Sequence, residues 1–268
     1  MVSDEHAGSS FAGDPSRTAS YFGRLAATYG GGRYYESRRD AVIEALKPEL
    51  DGAARVLDLG CGNGGYLAEL TKIAHLIFVA GADLSSEMIV QSRARLGPAF
   101  PLLDADACAL PFLGGCFDLV LCSHVLPFAA DLKLAVREIA GILRPGGVLA
   151  STLGGGSVRH EMRKLMPPAK WADFERIAFN RTLTTTNIER GADRYKTAFA
   201  EAALQIETRA TSFILVWKDV ADWIRRRWFP MLGETERQTA ERIMDETLHP
   251  LLDDQIEFSE TLMLGRKA

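Results

Sequence analysis

Cysteine is scarce: four residues in 268, at positions 61, 108, 116 and 122, with no Cys-x-x-Cys pair. That is too few for a disulfide scaffold, and it leaves no thiol zinc site to expect. Charge of one sign is not in excess. The 31 Lys and Arg against 35 Asp and Glu give a net charge of −4. Such a chain has no cationic field to hold nucleic acid or an anionic membrane without specificity. No apolar run approaches the ~20 residues that span a bilayer. The first residues, MVSDEHAGSS, lack the basic start and apolar core of a signal peptide. The expectation is a cytoplasmic protein with neither a membrane nor a nucleic acid as partner. What is present is ordinary for a globular chain: 47% hydrophobic and 25% charged residues.

Residues 1–18 are rich in Ser, Gly, Ala and Asp and read as a flexible leader, with one domain over 19–268. From Tyr21 to Leu50 the pattern is helical, and Pro48 is read as its stop. The period then changes. Arg55–Leu59 reads as a strand, ended by the loop Gly60-Cys61-Gly62-Asn63-Gly64-Gly65 and followed by a helix carrying Leu67, Leu70 and Ala74. Further strands are expected at 77–82, 101–103, 117–122 and 148–152. Between them lie a helix that Ser85 or Ser86 would cap and a clean apolar stripe from Leu132 to Leu143. Strand and helix alternating at this spacing give a parallel sheet with helices on both faces. Beyond Gly154 helices are expected over 158–180 and 193–204, around Trp223 and around Ile243, with strands over 205–217 and 256–264.

The glycine loop satisfies G-x-G-x-x-G through Gly60, Gly62 and Gly65, after a strand and before a helix, with Asp83 about 20 residues on. A ligand-free tight turn remains open on this pattern alone. Asp58, two residues before Gly60, chooses between ligands. A pyrophosphate at ~5 Å from it would meet about 3 kcal/mol of repulsion per charge pair at an effective dielectric of ~20. That speaks against an NAD-dependent oxidoreductase. A ligand with an ammonium and no phosphate, such as S-adenosylmethionine, would gain from the same carboxylate.

Four segments carry a resemblance. Val56–Gly64 resembles motif I of the class I S-adenosylmethionine-dependent methyltransferases. Ala82–Met88 resembles the segment after their second strand. Asp106–Phe112 with Phe117–Val120 is similar to the DA-x-x-LPF…FD-x-V run of their small-molecule (type 11-like) branch, and Leu143–Gly147 resembles the turn before their fifth strand. The resemblance implies a Rossmann-like, doubly wound, seven-stranded, mostly parallel sheet with an antiparallel last strand. N-terminal helices and a helical lid insertion over 153–204 would flank a core over 52–152. It implies S-adenosylmethionine as cofactor, with S-adenosylhomocysteine as product. Asp58 and Gly60 would hold the methionine end, and Gly62 and Gly64 would let the cofactor lie against the loop. Asp83 would bind the ribose, Leu84 and Met88 the adenosine, and Asp106 and Ala107 the adenine. Ser123 would sit beside the cofactor, and Tyr21 and Tyr29 would close over it or simply pack their helix.

Acceptors with a hydroxyl or amine also call for a base. His124, after Ser123 at the carboxyl end of the fourth strand, is the candidate; a histidine that only shapes the pocket is the alternative. His160 is a weaker candidate, and His75 and His249 read as ordinary positions. The Asn/Asp-Pro-Pro-aromatic run of members that methylate amides and nucleobases is missing, since Ser123-His124-Val125-Leu126-Pro127-Phe128 stands there. Metal-dependent catechol-type members carry a carboxylate where Ser123 stands, so no metal is expected. Arg225-Arg226-Arg227 between two tryptophans reads as the solvated face of a helix with Trp223 buried, with a phosphate or nucleic-acid site as the alternative. The stretch with Met162, Met166, Trp171, Phe174 and Phe179 would be a lid over an apolar acceptor, core cover or a dimer surface. The expected function is methylation of a small, apolar or aromatic metabolite at O, N or C. A cyclase or interaction module on the same fold, and methylation of RNA or protein, are the alternatives. A homodimer is left open.

Overall fold

The computed structural model describes residues 14–73, 75–152, 158–178 and 192–268. Helix α1 (Pro15–Leu25) starts on Asp14, whose carboxylate accepts the backbone N–H of Ser16 at 3.0 Å and of Arg17 at 3.3 Å. Residues 15–18, expected in the leader, are therefore helical, and the rest of the expected leader up to residue 13 lies outside the described residues. Helices α2 (Arg33–Ala45) and α3 (Lys47–Asp51) follow. Pro48 sits in the first turn of α3, where its missing N–H costs nothing, so it opens a helix rather than stopping one.

The expected alternation comes next: β1 (Arg55–Leu59), α4 (Gly65–Leu70), β2 (Phe78–Asp83), α5 (Ser86–Leu96), β3 (Leu102–Asp104), β4 (Phe117–Ser123), α6 (Leu132–Ile142) and β5 (Leu143–Thr152). Ser85 caps α5, accepting from Met88 N at 3.3 Å. Ala74, expected on the face of α4, lies outside the described residues. The β4–β5 ladder pairs Phe117 with Leu143 and resumes at Leu119 with Val148, so residues 144–147 bulge out of the pairing. The chain continues through α7 (Val158–Leu165), α8 (Pro168–Ala178), α9 (Ala192–Glu201), β6 (Leu204–Val216), α10 (Trp217–Arg227), α11 (Glu234–Leu248) and β7 (Gln255–Lys267).

The seven strands lie in the order β3-β2-β1-β4-β5-β7-β6. The first five are mutually parallel, and β7 inserts antiparallel between β5 and β6. Alternate residues of the central strands face opposite layers, as period-2 strands must. Leu57, Val120, Cys122 and Leu149 pack against α6 and α9, while Val56, Leu119, Leu121 and Ala150 pack against Val42, Leu46 and Leu50.

Strands β6 and β7 pair over thirteen residues each, but β7 pairs with β5 only from Leu262 to Arg266. The ribbon therefore overhangs the carboxyl edge of the sheet. Phe213, Leu215 and Phe258 on the overhang build a second core with α7, α8, α10 and α11. Met162 and Phe174 are fully buried in it. The stretch read as a lid, core cover or a dimer surface packs, in its described residues, as core cover for the ribbon; Phe179 lies outside them. Among the described residues no helix is long and apolar enough to cross a membrane.

Candidate active site

Five parallel strands end together at one edge, the usual ligand edge of an open α/β sheet. The loop after β1 turns there on three glycines with positive φ, Gly60 (+73°), Gly62 (+55°) and Gly64 (+78°), a region L residues rarely adopt. A cleft opens above them. Among the expected residues, Tyr29, Gly60, Gly62, Asp83, Leu84, Met88, Asp106, Ala107, Ser123 and His124 line it.

Two expected cofactor residues stand elsewhere. Gly64 faces α5, where a Cβ would come within 2.5 Å of Ser92 Oγ, so its glycine serves helix packing and not the cleft. Asp58 lies beneath the lining, 1% exposed, and its Oδ2 is buried without a hydrogen-bond partner. Burial, with the nearby Asp83 adding to it, raises the Asp58 carboxyl to about 8.

Asp83 ties β2 to the glycine loop. Its Oδ2 accepts the N–H of Gly62 at 2.8 Å and its Oδ1 that of Ser85 at 2.9 Å. Burial raises its carboxyl against the lowering effect of these bonds. Asp106 accepts from Cys108 N at 2.9 Å, which fixes the turn that carries it to the cleft.

Helix α1 closes one side, through Pro15, Thr18 and Phe22 rather than Tyr21. Tyr21 is buried, with its hydroxyl taking a hydrogen bond from Arg227 at 2.5 Å. Phe22 meets Tyr29 and Phe128 edge to face, with ring centres 5.8 and 5.2 Å apart. Arg227 corrects the reading of the arginine run. Its guanidinium lies 5.1 Å from the Tyr21 ring centre and 5.7 Å from that of Tyr29, so it packs inward as the solvated-face reading does not allow. Arg225 pairs with Asp222 and Asp245 as a surface arginine would.

His124 lies just past β4, with φ at +56°, an uncommon left-handed conformation for a residue with a side chain. Its N–H donates to Thr152 Oγ1 at 3.0 Å, and Nε2 is hydrogen-bonded to Glu260 on β7. Glu260 is 4% exposed and takes two further bonds from Arg38 Nε of α2, at 3.2 and 3.0 Å. Arg38 Nη2 continues to Ser123 Oγ at 3.1 Å. Ser123 therefore lines the cleft, as expected of a residue beside the cofactor, with its hydroxyl also tied into this network. Burial works to raise the Glu260 carboxyl, but Arg38 and His124 overcome it and lower it to about 2. Burial, then Arg38, lowers the His124 imidazole, with Glu260 opposing. The pair is thus an ionised carboxylate beside a neutral imidazole at neutral pH. Arg38 and Glu260 escaped the sequence reading, although each left a trace. Arg38 is in helical phase with Val42, and Glu260 interrupts the inward row Phe258–Leu262 of β7. His160 and His249 are exposed and do not line the cleft. Among the described residues no group of three or more His, Cys, Asp or Glu could hold a metal ion.

Residues 57–151 match the methyltransferase-domain family. The chain is 31% identical over 217 residues to a trans-aconitate 2-methyltransferase of Azoarcus sp., covering 76% of this chain and 81% of that one. The chain belongs to the class I S-adenosylmethionine-dependent methyltransferases. Another methyltransferase relative, a malonyl-acyl-carrier-protein O-methyltransferase of Erwinia pyrifoliae, is 33% identical over 65% of this chain and 63% of its own length. This methyltransferase-family chain thus spans less than two thirds of that relative. In the solved structures, the cyclase SpnF superposes with a TM-score of 0.61 at 18% identity, covering 96% of this chain and 97% of that one. At that identity the likeness shows the shared fold, which carries chemistry other than methyl transfer as well.

Proposed function

We propose that the protein transfers a methyl group from S-adenosylmethionine to a small-molecule acceptor in this cleft. The observation that carries the reading is Asp58, a buried carboxyl with an unpartnered oxygen beneath a glycine loop. A buried polar atom without a partner calls for one, and a ligand ammonium supplies it. Gly62 fits the same ligand, because a Cβ there would touch nothing nearer than Tyr29 at 3.6 Å, leaving its backbone open to close approach. Bound there, S-adenosylmethionine supplies an electrophilic methyl group.

The chain's own residues then divide the work. Asp58 and Gly60 hold the methionine end. Asp83 accepts from the ribose hydroxyls while its bond to Gly62 keeps the loop in place. Leu84 and Met88 pack on the adenosine, and Asp106 and Ala107 meet the adenine. Tyr29 and α1 exclude water. Phe22, Val125 and Phe128 line the cleft with apolar surface, which supports an acceptor with an apolar or aromatic body. His124, neutral at its lowered pKa, accepts the proton of an acceptor hydroxyl or amine.

A second reading has a carboxylate acceptor. Both named relatives act on carboxylic acids by their names, malonyl and trans-aconitate. Arg227, beside Tyr29, is paired with no carboxylate among the described residues and could receive one from the acceptor. A carboxylate is already ionised and needs no base. Incubation with methyl-labelled S-adenosylmethionine and matched phenols, amines and carboxylic acids separates the two. Label in phenols or amines, lost in His124→Gln, supports the first reading. Label in carboxylic acids, lost in Arg227→Met and kept in His124→Gln, replaces it with the second.

A further inference from the structure

The ion pair between Arg38 and Glu260 is complete as a structural contact, since Arg38 Nε reaches both carboxylate oxygens. His124 is nevertheless attached to it through Nε2. Its other ring nitrogen, Nδ1, makes no hydrogen bond among the described residues, and the ring lines the cleft with the side chain 25% exposed. The backbone at His124 is left-handed and anchored to Thr152. Strain of this kind persists where the surroundings over-determine it, and it gathers at functional sites. Three elements far apart in sequence, α2, the end of β4 and β7, thus converge on one imidazole.

We propose that Glu260 is a positioning residue that holds His124 as the tautomer protonated on Nε2, so that Nδ1 faces the cleft as the base, and that Arg38 fixes Glu260 for this task. The inference rests on the methyl-transfer reading with a hydroxyl or amine acceptor. The proton leaves the acceptor for Nδ1, the electron pair stays on the acceptor atom, and Glu260 balances the charge of the imidazolium formed. A carboxylate behind a histidine is a recurring way to orient a base and stabilise its protonated form. The groups facing the ring are Glu260 from β7 and Arg38 from α2, with Tyr66 of α4 reached through Ser123 and Tyr34 of α2 beside Arg38. Burial raises both phenols, so they stay neutral.

Nitrogen NMR of ring-labelled histidine in the protein saturated with S-adenosylhomocysteine tests this, with His124→Gln assigning the resonance. The expected result is an unprotonated Nδ1 and a protonated Nε2. Glu260→Gln should move the His124 titration midpoint down, and Arg38→Met should move it up. Loss of local structure would instead carry both toward the ordinary histidine value, in the same direction. In turnover with the acceptor found by labelled-methyl screening, Glu260→Gln should lower kcat on the order of 10- to 10²-fold and move the acid limb of the pH profile down with the NMR midpoint. The KM for the acceptor should hold. A wild-type ring protonated on Nδ1, or variants that shift the midpoint the same way, would overturn the proposal. Calorimetric binding of S-adenosylhomocysteine in the same samples separates the two levels. Binding with the wrong tautomer sinks only the role of Glu260, whereas no binding sinks the methyl-donor reading itself.

Discussion

Gly60 and Val125 are in contact across the cleft floor: a Cβ on Gly60 would come within 2.1 Å of Val125 Cγ2. The first glycine of the loop is thus required by the segment that follows β4, in addition to its φ of +73°. Gly60→Ala should cost roughly 2–3 kcal/mol, the left-handed backbone and the overlap together, and should abolish binding of S-adenosylhomocysteine. Adding Val125→Ala should recover part of the stability, because it removes the overlap and leaves the backbone strain. Thermal unfolding of the single and double variants checks this.

Asp58 makes cofactor affinity depend on pH. Burial raises its carboxyl from 3.8 to about 8. A raised acid contributes fully to folding below its unfolded value of 3.8 and loses that contribution progressively as pH rises from there through about 8, so the ligand-free protein should lose stability across that range and level off above it. A ligand ammonium needs the ionised form. Affinity should therefore rise with pH up to about 8, by at most about tenfold per pH unit. Calorimetry at pH 6 and pH 8, in two buffers of different ionisation enthalpy, should show this rise and a proton released on binding. Asp58→Asn should lose both.

Asp83 serves the ligand and the loop at once. Asp83→Ala removes the acceptor for Gly62 N–H as well as that for the ribose. The loss should be roughly 3 kcal/mol of binding, about 100-fold in Kd. Asp83→Asn keeps one acceptor oxygen and should lose less.

Glu260 also bears on stability. Its carboxyl is lowered from 4.5 to about 2, chiefly because Arg38 and His124 outweigh burial. A lowered acid contributes stability above its unfolded value, and that contribution is lost as pH falls through about 2. Glu260→Ala leaves Arg38 buried and unpaired, and should cost roughly 3–5 kcal/mol at neutral pH in denaturant unfolding. His124→Gln, by contrast, should keep S-adenosylhomocysteine binding and lose ~10²- to 10⁴-fold in turnover.

The parallel half of the sheet was legible because its signals are local. β1 ends at a glycine loop, Ser85 caps α5, and the α6 stripe repeats at helical spacing. Asp83 and His124 were read from their places at strand ends, and Asp106 from the resemblance of the segment Asp106–Phe112. Pro48 was misread because a proline marks a helix start as readily as a stop. The role of α7 and α8 stayed open between lid, core cover and dimer surface because apolar composition does not say which core it joins. The answer lay in the overhang of β6 and β7, a pairing between strands that neither segment announces alone. Arg38 and Glu260 are 222 residues apart, and only the fold brings them to His124.

Calorimetric titration of the purified protein with S-adenosylhomocysteine, with NAD as the control, tests the central claim most directly. Micromolar binding of S-adenosylhomocysteine that collapses in Asp83→Ala, with no binding of NAD, is the predicted result. Binding of NAD without S-adenosylhomocysteine would contradict it and return the glycine loop to a dinucleotide.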